Sequence, residues 1–197
     1  MKRLAQRLGA QNLTWREPAW LLRGGMAACA LVALALLIIT RATAPHPNAA
    51  AALIGRPAPT FTLPAAQSGT KLPAPTHFSG GHGRPTLLVF FNTLCIHCLG
   101  EITAVRQAAA SAPGGPLDVI FIDTPGENAQ ITGAYMARLQ LDPPVLLDTG
   151  GVVAQKYGAA YWPMVALVDE RGVMRGAWIG ETAEATLSAG IRHALDG

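Results

Sequence analysis

The apolar run Leu87–Phe91 (LLVFF) is followed within four residues by Cys95-Ile96-His97-Cys98, and no other stretch restricts this chain so tightly. A continuous apolar run bounded by turn residues reads as a strand buried on both faces. The cysteines open the helix that reads next, Cys95–Ala110, so a buried strand must feed directly into a helix. Two cysteines separated by two residues can close a disulfide within one helical turn. The first sits where helix N-terminal amides favour a thiolate. Such a pair is suited to electron exchange: an accessible, acidic Cys95 attacks a disulfide, and a more hidden Cys98 resolves the mixed disulfide. A protonated His97 between them would add to the acidity of Cys95.

Beyond this helix the pattern alternates. Ser111-Ala112-Pro113-Gly114-Gly115-Pro116 ends the helix, and Leu117–Ile122 reads as the next strand. Glu127–Leu139 reads as a helix behind Pro125 and Gly126. After the Pro143-Pro144 break come a short strand, Val145–Leu147, and a short helix, Gly151–Tyr157. Met164–Asp169 and Val173–Ile179 form a hairpin around Glu170-Arg171-Gly172, and Thr182–Leu195 is the last helix. Strands alternating with helices and ending in a hairpin give an α/β plan with a mixed sheet. Upstream, Thr60–Leu63 is one short extended piece. Gln67–Pro85, rich in Gly, Ser, Thr and Pro, reads as loop holding at most a strand pair.

Charge divides the chain differently. Residues 1–44 carry Lys2, Arg3, Arg7, Arg16, Arg23 and Arg41 against the single acid Glu17. The remainder has a small acidic excess. The basic character therefore belongs to the N-terminal segment, and nucleic acid is not an expected partner. Met26–Ile39 is an unbroken series of apolar and small residues, about 21 Å as a helix against a hydrocarbon core of ~30 Å. Extension to Trp20 completes the span and takes in Arg23, with Trp15 and Trp20 at the interface. The expected organisation is a cytoplasmic basic segment (1–19), a transmembrane anchor (20–40), an Ala- and Pro-rich linker (41–52) and a domain (53–197). Positive charge before the span keeps the N-terminus in the cytoplasm and places the domain in the periplasm, on a single-pass inner-membrane protein. Ala42-Thr43-Ala44 resembles a signal-peptide cleavage site, but Pro45 would follow the cut. Cys29 reads as a small apolar residue of the anchor.

A structural zinc site needs further ligands at matched spacing, and there is no second cysteine pair. No metal site or cofactor is expected beyond the redox-active Cys95–Cys98 pair. The alternative is a Cu(I) metallochaperone that uses Cys95, His97 and Cys98, because soft thiolates hold Cu(I).

These residues resemble the TlpA/ResA-type membrane-anchored thiol–disulfide oxidoreductases of the thioredoxin superfamily, over about residues 53–196. Residues 87–101 (LLVFFNTLCIHCLGE) look like that family's strand, CxxC and following glutamate. Residues 157–172 (YGAAYWPMVALVDERG) look like its cis-proline segment and hairpin. The resemblance implies a thioredoxin-like fold, a mixed central sheet flanked by helices, with a helix and strand inserted at about 127–147. It implies that Pro163 is a cis-proline facing the cysteines. Trp162 would then present its backbone to a client peptide, and Glu101 would relay a proton for Cys98. Implied partners are client proteins with thiols or disulfides and a membrane electron-transfer partner.

Three positions depart from the family pattern. Leu94 stands where the family has Trp, Val89 where thioredoxins bury an acid, and Met164 where relatives serving cytochrome c maturation carry an acid. The expected activity is reduction of client disulfides, as in cytochrome c or copper-site maturation. His97 before the second cysteine is reminiscent of DsbA-type oxidants, which is the opposing direction. Gly55–Phe61 also resembles the entry to peroxiredoxins, whose cysteine stands differently relative to its Thr than Cys95 does to Thr93.

Overall fold

The computed structural model describes residues 29–38, 49–66, 74–81, 83–126, 128–140 and 145–196. The chain divides into two compact units, Met1–Ala44 and Pro45–Gly197. In the first, α1 (residues 29–38) is helical and exposes Leu31, Val32, Leu34 and Leu36. No helix among the described residues is long and apolar enough to cross a membrane. The basic segment 1–19, most of the expected anchor 20–40, linker residues 41–48 and the Pro143-Pro144 break lie outside the described residues.

The second unit carries the α/β plan. After a 3-10 turn at Ala51–Leu53 come β1 (Phe61–Leu63), β2 (Thr76–Phe78), β3 (Thr86–Phe91), α2 (Cys98–Ala110) and β4 (Asp118–Asp123). The chain continues through α3 (Ala129–Leu139), β5 (Val145–Leu147), α4 (Val152–Tyr157), β6 (Met164–Val168), β7 (Met174–Ile179) and α5 (Glu184–Asp196). Five strands form one mixed sheet in the order β5-β4-β3-β6-β7. β3 runs parallel to β4 and antiparallel to β6, and β4 runs parallel to β5. β3 is central, and all six of its residues are buried, which is why its sequence is apolar without alternation.

Alternate residues of the strands feed two cores. Leu87, Val89, Phe91, Phe121, Val165 and Leu167 pack with Cys98, Ile102 and Val105 of α2 and Leu187 and Ile191 of α5. Leu88, Phe90, Ile122, Met164 and Ala166 pack with Val153 and Tyr157 of α4, and with Phe61 and Phe78 of the small sheet. The segment 67–85, read as loop holding at most a strand pair, contributes β2, which pairs with β1, with Phe61 opposite Phe78 and their rings stacked at 5.1 Å.

The β6–β7 turn is held by Asp169. Its Oδ1 accepts the N–H groups of Arg171 and Val173, and its Oδ2 accepts from Arg175 Nε at 2.7 Å. Burial pushes this carboxyl up, but the hydrogen bonds from Val173, Arg175 and Arg171 outweigh it and hold it below its usual range. A lowered folded-state pKa contributes stability that is present above the unfolded carboxyl value and is lost as pH falls through the folded value. Asp169→Ala should cost about 1–3 kcal/mol at pH 7, the scale for leaving such donors unpaired. Urea denaturation at pH 7 and in acid should show that gap narrowing as pH falls; a constant gap would remove the carboxylate from the account.

Candidate active site

The C-terminal ends of β3, β4, β5 and β7 and the N-terminal end of β6 meet at one edge of the sheet, and the cysteines stand there. Beyond Phe91 the chain does not enter the helix at once. Asn92 Oδ1 accepts the N–H of Leu94 at 2.9 Å, the N–H of Cys95 donates to Asn92 O, and the N–H of Cys98 donates to Cys95 O. This side-chain turn occupies residues 92–97, so α2 starts at Cys98 and not at the expected Cys95. Cys95 lies just ahead of the helix N-terminus, where amide dipoles still favour negative charge on its sulfur.

Cys95 and Cys98 are joined in a disulfide with their Cα atoms 5.4 Å apart. Cys95 is partly exposed, and Cys98 is fully buried against Phe91, Ile102 and Val105. That is the division of labour exchange requires: a sulfur that a client can reach, and a second that only the first can reach. Leu94 and Ile96, each 83% exposed, stand beside it, with Leu99 half exposed.

Glu101 lies three residues beyond Cys98, so both occupy the buried face of α2. Its Oε2 accepts the N–H of Thr182 at 2.6 Å, and its Oε1 is buried with no hydrogen-bond partner. Burial pushes the carboxyl above its usual range; the Thr182 hydrogen bond works against this and the charge of Glu181 adds to it. A carboxyl raised in this way, on the same buried helix face as Cys98, suits proton exchange with the thiol that reduction of the disulfide releases.

His97 points outward, and its Nδ1 lies 3.0 Å from Glu181 Oε2. Trp162 and Pro163 immediately precede β6. Because Met164 pairs with Phe90, they lie at the level where β3 gives way to the cysteine turn. The Trp162–Pro163 bond is cis, Pro163 O accepts the N–H of Gly180, and Trp162 and Tyr161 are exposed. The six expected site residues thus lie in the cysteine turn, the first turn of α2 and the segment that leads into β6.

Several contributors carried no sequence signal. Glu181 and Thr182 are 84 and 81 residues from their partners His97 and Glu101. Asn92 and a second cis bond, Thr124–Pro125, also line this edge, with Asn92 Nδ2 donating to Pro125 O. No group of three or more His, Cys, Asp or Glu among the described residues is arranged to hold a metal ion.

Residues 54–177, more than half of the chain, match the AhpC/TSA family. The chain belongs to that family. Solved structures share the fold of this AhpC/TSA domain. One assigned as the thiol:disulfide interchange protein DsbE of Chlorobium tepidum is 21% identical, with a TM-score of 0.61, over 72% of this chain and 97% of its own. StoA of Bacillus subtilis is 18% identical, with a TM-score of 0.52, over 68% and 96%. DsbF of Mycobacterium tuberculosis is 22% identical, with a TM-score of 0.56, over 68% and 94%. On this thioredoxin-like scaffold, a partly exposed cysteine joined to a buried one is arranged for thiol–disulfide exchange.

Proposed function

We propose that the protein is a TlpA/ResA-type oxidoreductase, tethered to the inner membrane with its domain in the periplasm, that reduces disulfides in client proteins. The observation that carries this reading is the buried Cys98 with a buried carboxyl, Glu101, on the same face of α2. In the reduced protein, the Cys95 thiolate attacks a client disulfide, forming a Cys95–client bond and releasing one client thiolate. Cys98, its proton passed to Glu101, then attacks Cys95. The Cys95–Cys98 disulfide closes and the second client sulfur leaves as a thiolate. Two electrons pass to the client, and two protons end on its thiols. A membrane partner of dithiol chemistry restores the reduced pair. Exposed Trp162 beside Pro163 supplies the edge on which a client strand is held.

Charge supports this direction. A disulfide is a strong oxidant when its reduced thiolate form is stabilised. Here Glu101 lies on the buried face of α2 with Cys98, and Glu181 stands against His97, offsetting the positive charge an imidazolium would bring near Cys95. Negative charge disfavours the thiolate and makes the pair reducing. Equilibration of Cys95–Cys98 with glutathione should give a potential nearer to thioredoxin's, about −270 mV, than to DsbA's, about −120 mV. A DsbA-like value would reverse the proposed direction. The clients best suited are apocytochrome cysteine pairs or copper-site cysteine pairs, which must be reduced before loading.

A further inference from the structure

Resting on the disulfide-exchange reading, we propose that Glu181 is a positioning residue of the active site. It holds His97 by Nδ1, and Gly100 is the notch that lets it do so. Two independent features of the structure carry this. The first is the 3.0 Å contact between His97 Nδ1 and Glu181 Oε2, which joins the dipeptide between the cysteines to the β7–α5 connection. The second lies one turn along α2. A Cβ on Gly100 would collide with Glu181 Oε1 and sit 3.0 Å from its Cδ, so the carboxylate rests where any other residue's side chain would begin. Glycine inside a helix costs about 1 kcal/mol relative to alanine. The space it leaves is filled by Glu181.

The connection itself is anchored on both sides of that carboxylate. Gly180 N–H donates to Pro163 O at 2.8 Å, and Thr182 N–H donates to Glu101 Oε2 at 2.6 Å. Glu181 is therefore held between the proline segment and the buried acid, with its side chain laid back over α2. The groove it enters is lined by Ile96, Leu99, Thr103 and Glu184. Glu181 is the charged group against the His97 ring, and Glu184 lines the same groove as Glu181.

An imidazole that donates Nδ1–H to a carboxylate has its tautomer fixed, because which ring nitrogen carries the proton is set by the bond the other makes. Nε2 is then the nitrogen left for thiols at the mouth. The ring is 69% exposed, so a client can reach it. As Cys95 ionises, Nε2 takes its proton. As the client S–S bond breaks, Nε2 returns that proton to the departing client sulfur. Charge and protons balance, and Glu181 itself exchanges no proton in the step.

Two variants of the full chain test the assignment. Glu181→Ala removes the acceptor; Gly100→Ala leaves Glu181 in the sequence but drives its carboxylate off α2, while favouring the helix. In the wild type, the ¹⁵N shifts of the His97 ring near pH 8 should report the Nδ1–H form, with Nε2 bare. Both variants should move toward the mixed tautomers of a free imidazole. Both should also shift the glutathione equilibrium toward the dithiol by about two- to five-fold, the scale of an exposed ion pair. A ring already mixed in the wild type, or unmoved in both variants, overturns the assignment. So does an equilibrium constant unchanged in both. Absence of any exchange between wild-type Cys95–Cys98 and glutathione would instead sink the oxidoreductase reading on which the proposal rests.

Discussion

Replacing Cys95 by serine should abolish disulfide exchange, lowering client reduction by more than about 10³-fold, the scale on which loss of a nucleophile acts. Cys98→Ser should instead accumulate mixed disulfides. The asymmetry follows from burial: Cys95 is within reach of solvent, and Cys98 is fully covered by the core of α2 and β3. A client can attack or be attacked only at Cys95, and the covalent complex can be undone only from inside. With serine at 98 that inner route is closed, so the Cys95–client bond persists until an external thiol reaches it. Non-reducing electrophoresis of the Cys98→Ser protein with a disulfide-bearing client should show a slower band, which disappears with dithiothreitol and is missing in the double variant. Full activity in Cys95→Ser, or trapping through position 98, would reverse the assignment. At the partly exposed position 95, the serine should alter stability of the reduced domain by no more than about 1 kcal/mol.

Much of this arrangement could be read from local pattern. Leu87–Phe91 has no polar residue to offer solvent, so it could only be a strand covered on both sides, and β3 is the middle strand of five. Val145–Leu147 falls on its expected bounds, with Pro143-Pro144 before it in the sequence and the turn at Thr149-Gly150 after it. The spacing of Cys98 and Glu101 alone puts them on one helix face. What could not be read is what lies across from that face. The helix start is displaced to Cys98 by the side chain of Asn92, which competes for the amides of the turn in a way that helical periodicity does not register. The burial of Glu101 depends on Thr182, and the engagement of His97 depends on Glu181. Both are tertiary events across more than 80 residues. Gly100 is a weak point by helix propensity, and its purpose emerges only with the carboxylate that occupies its space.

Glu101→Gln should slow resolution of the mixed disulfide by about 10²-fold, within the usual range for a general acid–base group, while leaving the first attack by Cys95 intact. Glutamine keeps an oxygen for the Thr182 N–H but cannot take a proton from Cys98. The carboxyl is raised by burial first, against the Thr182 hydrogen bond, with the charge of Glu181 adding to the rise. The wild-type resolving rate should therefore climb as pH rises through this raised value, because only the ionised form accepts the proton. The glutamine variant should lose that limb. Stability follows the same linkage. With the folded-state pKa above the unfolded one, the native state holds the proton longer. Wild-type stability then falls as pH rises from the ordinary carboxyl value, about 4.3, through the folded value. Glu101→Gln should be free of that decline and gain on the wild type across the same window. Stopped-flow release of a fluorescent thiol from a preformed Cys95 mixed disulfide, run from pH 5 to 9, separates the two roles. A parallel shift of the whole profile would mean that Glu101 only packs, whereas loss of the limb with first attack unchanged would mean that it carries the proton of Cys98.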